Sequence, residues 1–149
     1  MSNTASQDIL TEVRERLSAK VTQWDQISGR RVYIRIEKGD LLEVARYLFF
    51  EKGARFCTAS GVDMRDAMEI VYHFSFDGIG CVLSMKVQIA KPALEVESLA
   101  QLFRAAEWVE REIHELLGIT FLHHPNLKHL LLDDDWPEGD YPLRRYPNE

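Results

Sequence analysis

The chain has 149 residues, enough for one domain with a substantial core, and its 46% apolar and 28% charged residues are ordinary for a globular protein. Its 18 basic and 24 acidic side chains leave a net charge of −6, and no basic run exceeds Arg30-Arg31 or Arg144-Arg145, which disfavours nucleic-acid binding. No stretch reaches the roughly 18 apolar residues that span a bilayer, and the polar residues 1–8 lack the apolar run of a signal peptide, so a cytoplasmic location is expected.

Ile9, Leu10, Val13, Leu17, Val21 and Trp24 share one face of a first helix expected over about 6–22. Ser28-Gly29 breaks it. Arg31 to Glu37 then alternates, with Val32, Ile34 and Ile36 inward, as a strand does. Asp40-Leu41-Leu42-Glu43 opens a second helix in the manner of a capping box, and Gly53 ends it. After a short strand over about 55–59 come two alternating runs. Ile70, Tyr72, Phe74 and Phe76 precede Asp77-Gly78, and Ile79, Cys81, Leu83, Met85, Val87 and Ile89 follow it, which predicts a hairpin with a type I′ turn. Cys57 and Cys81 form no metal or disulfide pattern and read as small core residues.

Ser98-Leu99-Ala100-Gln101 has capping-box spacing and Gly118 the place of a left-handed C-cap, so a third helix is expected over about 99–117. Leu99, Leu102, Phe103, Ala106, Val109, Ile113, Leu116 and Leu117 fall within one arc of roughly 140°. Two residues break the pattern. Glu110 projects into the middle of the apolar arc, where a carboxylate requires a cation or a donor. Trp108 lies opposite, among Arg104, Glu107 and Glu115, where its ring is exposed unless another segment or chain covers it.

Beyond Gly118 the chain carries Phe121, His124-Pro125, three leucines at 130–132, then Trp136-Pro137, Gly139, Tyr141-Pro142-Leu143-Arg144-Arg145 and Tyr146-Pro147. Its prolines forbid a long helix or a central strand. Its aromatics and leucines are too many for a solvated tail. The chain therefore reads as α+β, a two-layer domain over 1–122 with helices on a mixed sheet of about four strands, and an extended arm over 123–149 belonging to the same domain.

The spaced set Trp108, Glu110-Arg111-Glu112, Glu115, Gly118, Phe121, His124-Pro125, Trp136, Gly139 and Pro142-Leu143-Arg144 resembles the signature of the respiratory-chain NADH dehydrogenase 30 kDa subunit family. That family comprises the C subunit of complex I (NADH-quinone oxidoreductase) and its counterparts in energy-converting [NiFe] hydrogenases and formate hydrogenlyases. This chain has Glu115 where the family usually has Asp, His123 where it has Gly, and Lys128-His129 where it has two arginines. Its ending Pro142-Leu143-Arg144-Arg145-Tyr146-Pro147 is one residue short of the usual form.

The resemblance implies a cofactor-free peripheral-arm subunit docked on a large catalytic subunit beside iron-sulfur subunits, with the quinone or NiFe centre in those partners. It implies that the signature residues serve assembly, and that the protein meets the cytoplasmic face of the membrane only through the complex. Arg111, Arg144 or Arg145 is the expected cation for Glu110. The 130–132 leucines before Trp136-Pro137, and an ending soon after Arg144, lean toward the hydrogenase branch, with complex I proper as the alternative. Composition and spacing offer no HExxH, phosphate loop or nucleophile setting. A stand-alone enzyme would need converging titratable groups in a pocket, and an adaptor of an unrelated assembly would keep the arm with different partners.

Overall fold

A computed structural model describes residues 2–145; Tyr146 and Pro147 of the arm's ending lie outside the described residues. Helix α1, Ser2–Arg16, buries Leu10 and Val13. A turn held by Lys20 N–H to Leu17 O (2.9 Å) and Val21 N–H to Leu17 O (3.0 Å) then stops the helical path. Val21 and Trp24, expected on that helix, lie instead in strand β1, Val21–Ser28, which pairs antiparallel with β2, Arg31–Ile36. Val21, Thr22 and Trp24 suit a pleated strand, and pairing with β2 overrides their helical spacing. The sheet thereby gains a strand.

Helix α2, Leu41–Arg46, runs into a single π-helical turn, Tyr47–Glu51, closed by Lys52 N–H to Tyr47 O (3.0 Å). Gly53 follows at φ +66°, as a C-cap glycine should. Strands β3 (Arg55–Asp63), β4 (Ala67–Phe76) and β5 (Cys81–Ala90) complete a five-stranded sheet in the order β1-β2-β5-β4-β3. β2 and β5 run parallel, from Arg31↔Val82 to Ile36↔Val87, so the sheet is mixed and the fold is α+β as expected.

The β4–β5 connection is longer than a two-residue turn. A 3-10 turn at Asp77–Ile79 precedes Gly80, which takes the positive φ of +62°. Asp77 braces it, accepting from Ser75 Oγ (2.6 Å) and Arg55 Nε (2.9 Å). Along β4 and β5 the expected alternation holds: Met68, Ile70, Tyr72, Phe74, Leu83, Met85, Val87 and Ile89 are buried. Cys81 is buried with them, whereas Cys57 is exposed, against expectation.

The chain divides into two compact units. One comprises Met1–Thr58 and Val71–Val87, the other Ala59–Ile70 and Gln88–Glu149. In the second, β6 (Glu95–Glu97) and β7 (Thr120–Leu122) pair in parallel across helix α3, Glu107–Leu117, a small β-α-β crossover that buries Val96 and Phe121. Gly61 admits that helix: a Cβ there would sit 2.5 Å from Leu117 Cδ1 and 3.3 Å from Ile113 Cγ2.

The helix expected from 99 begins only at Glu107. Residues 99–101 and 104–106 are 3-10 turns separated by Phe103 in extended geometry, φ −151°. The reason is a hydrogen bond from Leu99 N–H to Glu110 Oε2 at 2.8 Å. In a continuous helix those residues would stand about 16 Å apart along the axis, so the chain folds back.

Candidate functional site

Glu110 lies at the centre of this turn-back and is wholly buried. Ser98 Oγ donates to its Oε1 at 2.6 Å, and the Leu99 amide to its Oε2. The Ser98 hydroxyl also accepts from Ala100 N–H (3.0 Å), while the Gln101 side chain donates to Ser98 O (2.9 Å), so the expected capping box is replaced by a cap built around a carboxylate. Burial pushes Glu110 up to about 7, against the Ser98 hydroxyl and the Leu99 and Ala100 amides, which pull it down.

Among the described residues no arginine pairs with Glu110. His124 Nε2 comes within 4.0 Å of Oε1, but it donates to Glu107 O at 2.9 Å, and Nδ1 accepts from Asn126 N–H at 2.9 Å. That pair of bonds fixes the ring's tautomer and ties the start of the arm to the first turn of α3. Pro125 beside it is exposed.

The expected cations serve the arm instead. Arg111 Nε donates to Lys128 O (3.1 Å) and Nη2 to His129 O (2.6 Å). One turn along, buried Glu115 accepts from the backbone amides of Leu130 (2.9 Å), Leu131 (2.7 Å) and Leu132 (3.3 Å), with His129 Nδ1 at 3.2 Å. Burial alone would raise this carboxyl, but the Leu131, Leu130 and Leu132 amides and His129 outweigh it and hold Glu115 below the usual carboxylate range. Three successive amides around one carboxylate make an anion nest. The part of the polar face that carries Glu115 is therefore covered by the chain's own arm.

The arm next caps the end of α3. Leu143 N–H donates to Leu116 O (3.0 Å) and Arg144 Nε to Leu117 O (2.8 Å), which satisfies helix-terminal carbonyls and sets a cation at the negative end of the dipole. Arg144 also lies over the Tyr141 ring, 4.5 Å from its centre. Gly118, at φ +82°, is doubly required: a Cβ there would meet Arg144 Nη2 and lie 2.6 Å from Tyr141 Cε2. Gly139, at φ +85°, turns the loop in which the half-buried Trp136 donates Nε1–H to Asp140 O at 2.7 Å. Arg145 N–H ends on buried Asp63 Oδ2 (2.7 Å), itself paired with Lys91 (2.6 Å). Between α3 and the arm lies a cleft of about 530 Å³ lined by His114, Glu115, His129, Trp136 and Tyr141.

The structure thus gathers Glu110, Arg111, Glu115, Gly118, His124, Leu143 and Arg144 around α3, with Phe121 buried beneath in β7. Trp108 stays 67% exposed among the described residues, and Glu112 is half-buried; Pro142 is exposed. Two anchors are hidden in the sequence. Ser98 reads there only as a cap, and Asp63 carries no signal beyond a lone acid after Gly61-Val62. Among the described residues no group of three or more His, Cys, Asp or Glu side chains could hold a metal ion, and no helix is long and apolar enough to cross a membrane.

These features define an α+β domain whose last helix is belted by its own C-terminal arm. The chain belongs to the respiratory-chain NADH dehydrogenase 30 kDa subunit family, whose model matches residues 34–147. It is 38% identical over 128 residues to the C subunit of the F(420)H(2) dehydrogenase of Methanosarcina mazei, covering 79% of this chain and 78% of the relative. It is 28% identical over 142 residues to the C subunit of the NADH-quinone oxidoreductase of Geobacter metallireducens, covering 89% and 87%. Its fold matches a chain of the membrane-bound sulfane sulfur reductase, an archaeal respiratory membrane complex, with a TM-score of 0.83 over 94% of this chain and 84% of that one, at 21% identity.

Proposed function

We propose that this chain is a non-catalytic subunit of the peripheral arm of a complex I-like membrane-bound oxidoreductase, and that it docks on the large catalytic subunit through α3 and the arm. The observation that carries the reading is the contrast within the belt. Its polar groups are spent on holding the arm to the helix, while Trp108, Leu131 and Leu143 remain 67%, 66% and 60% exposed. Large apolar groups presented on a rigidly tied scaffold suit a protein partner. Glu110, Arg111, Glu115 and His124 then act in assembly indirectly, by fixing the shape of the docking face.

Family membership supports the complex, with the iron-sulfur clusters and the reaction centre housed in partner subunits. For the branch, the leucines before Trp136-Pro137 favour an energy-converting hydrogenase, whereas the 38% identical relative is a subunit of a dehydrogenase with another electron donor. A pull-down under mild detergent tests the reading. Recovery of a large quinone-site or [NiFe] subunit with iron-sulfur proteins is expected, and the nickel content decides the branch. Recovery of a lone, stable monomer would overturn it.

A further inference from the structure

Residues 104–145 carry nine acidic and five basic side chains, whereas residues 1–103 carry fourteen and thirteen. The acidic excess is therefore local to α3 and the arm. Part of it is hidden. Glu110 and Glu115 are buried and held by hydrogen bonds, and Arg111 and Arg144 turn inward onto carbonyl oxygens. What remains outward is the half-buried Glu112 with the exposed Asp133, Asp134, Asp135, Glu138 and Asp140. None of these six carboxylates has a cation within ion-pair distance among the described residues. They surround the apolar groups of the same segment, Trp108 at 67% and Leu131 at 66% exposure. Glu112 stands out among them. It lies one turn after Trp108 on the same face of α3, and Arg111, its neighbour in sequence, is bonded to Lys128 O and His129 O instead. A carboxylate half-buried without a partner is less well solvated than one on an open surface, and gains more from a cation that reaches it.

Building on the docking reading, on which this inference rests, we propose that the large-subunit surface meeting α3 and the arm is basic, and that an arginine of that subunit lies over the Trp108 ring and pairs with Glu112. A guanidinium does both at once, because its plane stacks on an indole while its edge donates to a carboxylate. The apolar centre at Trp108 and Leu131 supplies affinity, and the acidic rim orients the encounter and selects the partner. Two other occupants fit worse. A second copy of this chain in a two-fold contact sets one acidic rim against another, and an anionic membrane surface meets the same repulsion.

The test follows recovery of the large subunit, identified by mass spectrometry, with the tagged full chain from membranes solubilised in mild detergent. Wild-type recovery is expected to fall several-fold from low to high salt, because charges at a rim are screened. At low salt, Glu112→Gln is expected to lower it several-fold and Glu112→Arg further, with Glu112→Asp, which keeps the charge, between Glu112→Gln and the wild type. The thermal midpoint of the isolated chain should not move in Glu112→Gln; a lowered midpoint would give the residue a role in folding and overturn the pairing. Wild-type recovery by Glu112→Gln and Glu112→Arg, with Trp108→Ala still defective, would overturn the basic partner and leave the docking face standing. Wild-type recovery by Trp108→Ala as well would remove the docking face itself. Light scattering of the isolated chain and co-sedimentation with phosphatidylglycerol vesicles complete the test. A dimer, or vesicle binding, that Trp108→Ala abolishes would assign the face to a second copy or to the membrane, and either overturns the proposal.

Discussion

At the scale of single residues, Glu110 holds a buried carboxylate with one hydroxyl and one amide and without an arginine. Its folded value of about 7 lies above the ordinary 4.5, so between those values the folded chain binds more protons than the unfolded one, and stability falls as pH rises through that window. The fall amounts to up to about 3 kcal/mol. Urea titrations from pH 4.5 to 8 should show it in the wild type and not in Glu110→Gln; the same slope in both would assign it to another group. His123 offers a second test. It sits at φ +66°, in the left-handed region that favours glycine, and its Nδ1 contacts Glu97 at 2.8 Å. His123→Ala and His123→Gly both lose that contact, but only glycine takes the left-handed conformation without cost. The glycine variant should therefore be more stable than the alanine variant by about 1 kcal/mol. Equal stabilities would mean that position 123 bears no strain.

At the scale of elements, the arm is attached to α3 by few but strong bonds, and Glu115 supplies the largest group of them. Its lowered value means that the stability it contributes is present above the ordinary carboxyl range and lost as pH falls through its folded value. Glu115→Gln cannot accept from all three leucine amides as an anion does, and should cost the arm about 2–3 kcal/mol. Hydrogen exchange should then quicken at 130–132 while the β5 amides of Leu83 and Met85 stay protected. Equal quickening in β5 would make the arm part of the global unfolding unit rather than a local one. This element is only half legible in sequence. Proline and aromatic content reveal an arm that lies against something, and Glu110 stands out as a buried acid. The partners do not, because the bonds to both glutamates are made mostly by backbone amides, whose positions depend on how the chain turns at Phe103 and after Pro125. A periodicity that runs unbroken from Leu99 to Leu117 hides that turn.

At the scale of the whole molecule, the alternation in β2, β4 and β5 conveys the α+β class, since the alternate positions Val32, Ile34 and Ile36, Met68, Ile70, Tyr72 and Phe74, and Leu83, Met85, Val87 and Ile89 are buried. β1 reads as helix because Val21 and Trp24 continue the spacing of α1, and the parallel pairing of β2 with β5 lies outside any local pattern. Trp108 poses the whole-molecule question. Little in the chain touches its ring, so Trp108→Ala should shift the stability of the isolated protein by no more than about 0.5 kcal/mol, while recovery of the large partner subunit in a pull-down falls several-fold. A variant that lost stability in isolation, or one that recovered partners at wild-type yield, would remove Trp108 from the docking face.

The same parallel pairing bears on how the chain is made. The register from Arg31↔Val82 to Ile36↔Val87 joins segments about fifty residues apart, so the centre of the sheet cannot close until β5 has left the ribosome. Until then β1 and β2 form a lone hairpin with Val32, Ile34 and Ile36 uncovered, and an isolated hairpin is marginal in water. Residues 37–80 are thus synthesised during an interval in which the nascent chain offers an apolar edge to its surroundings, the stage at which chaperones or misassembly act. Codon changes that slow translation between β2 and β5 would lengthen that interval without altering a single contact of the finished fold.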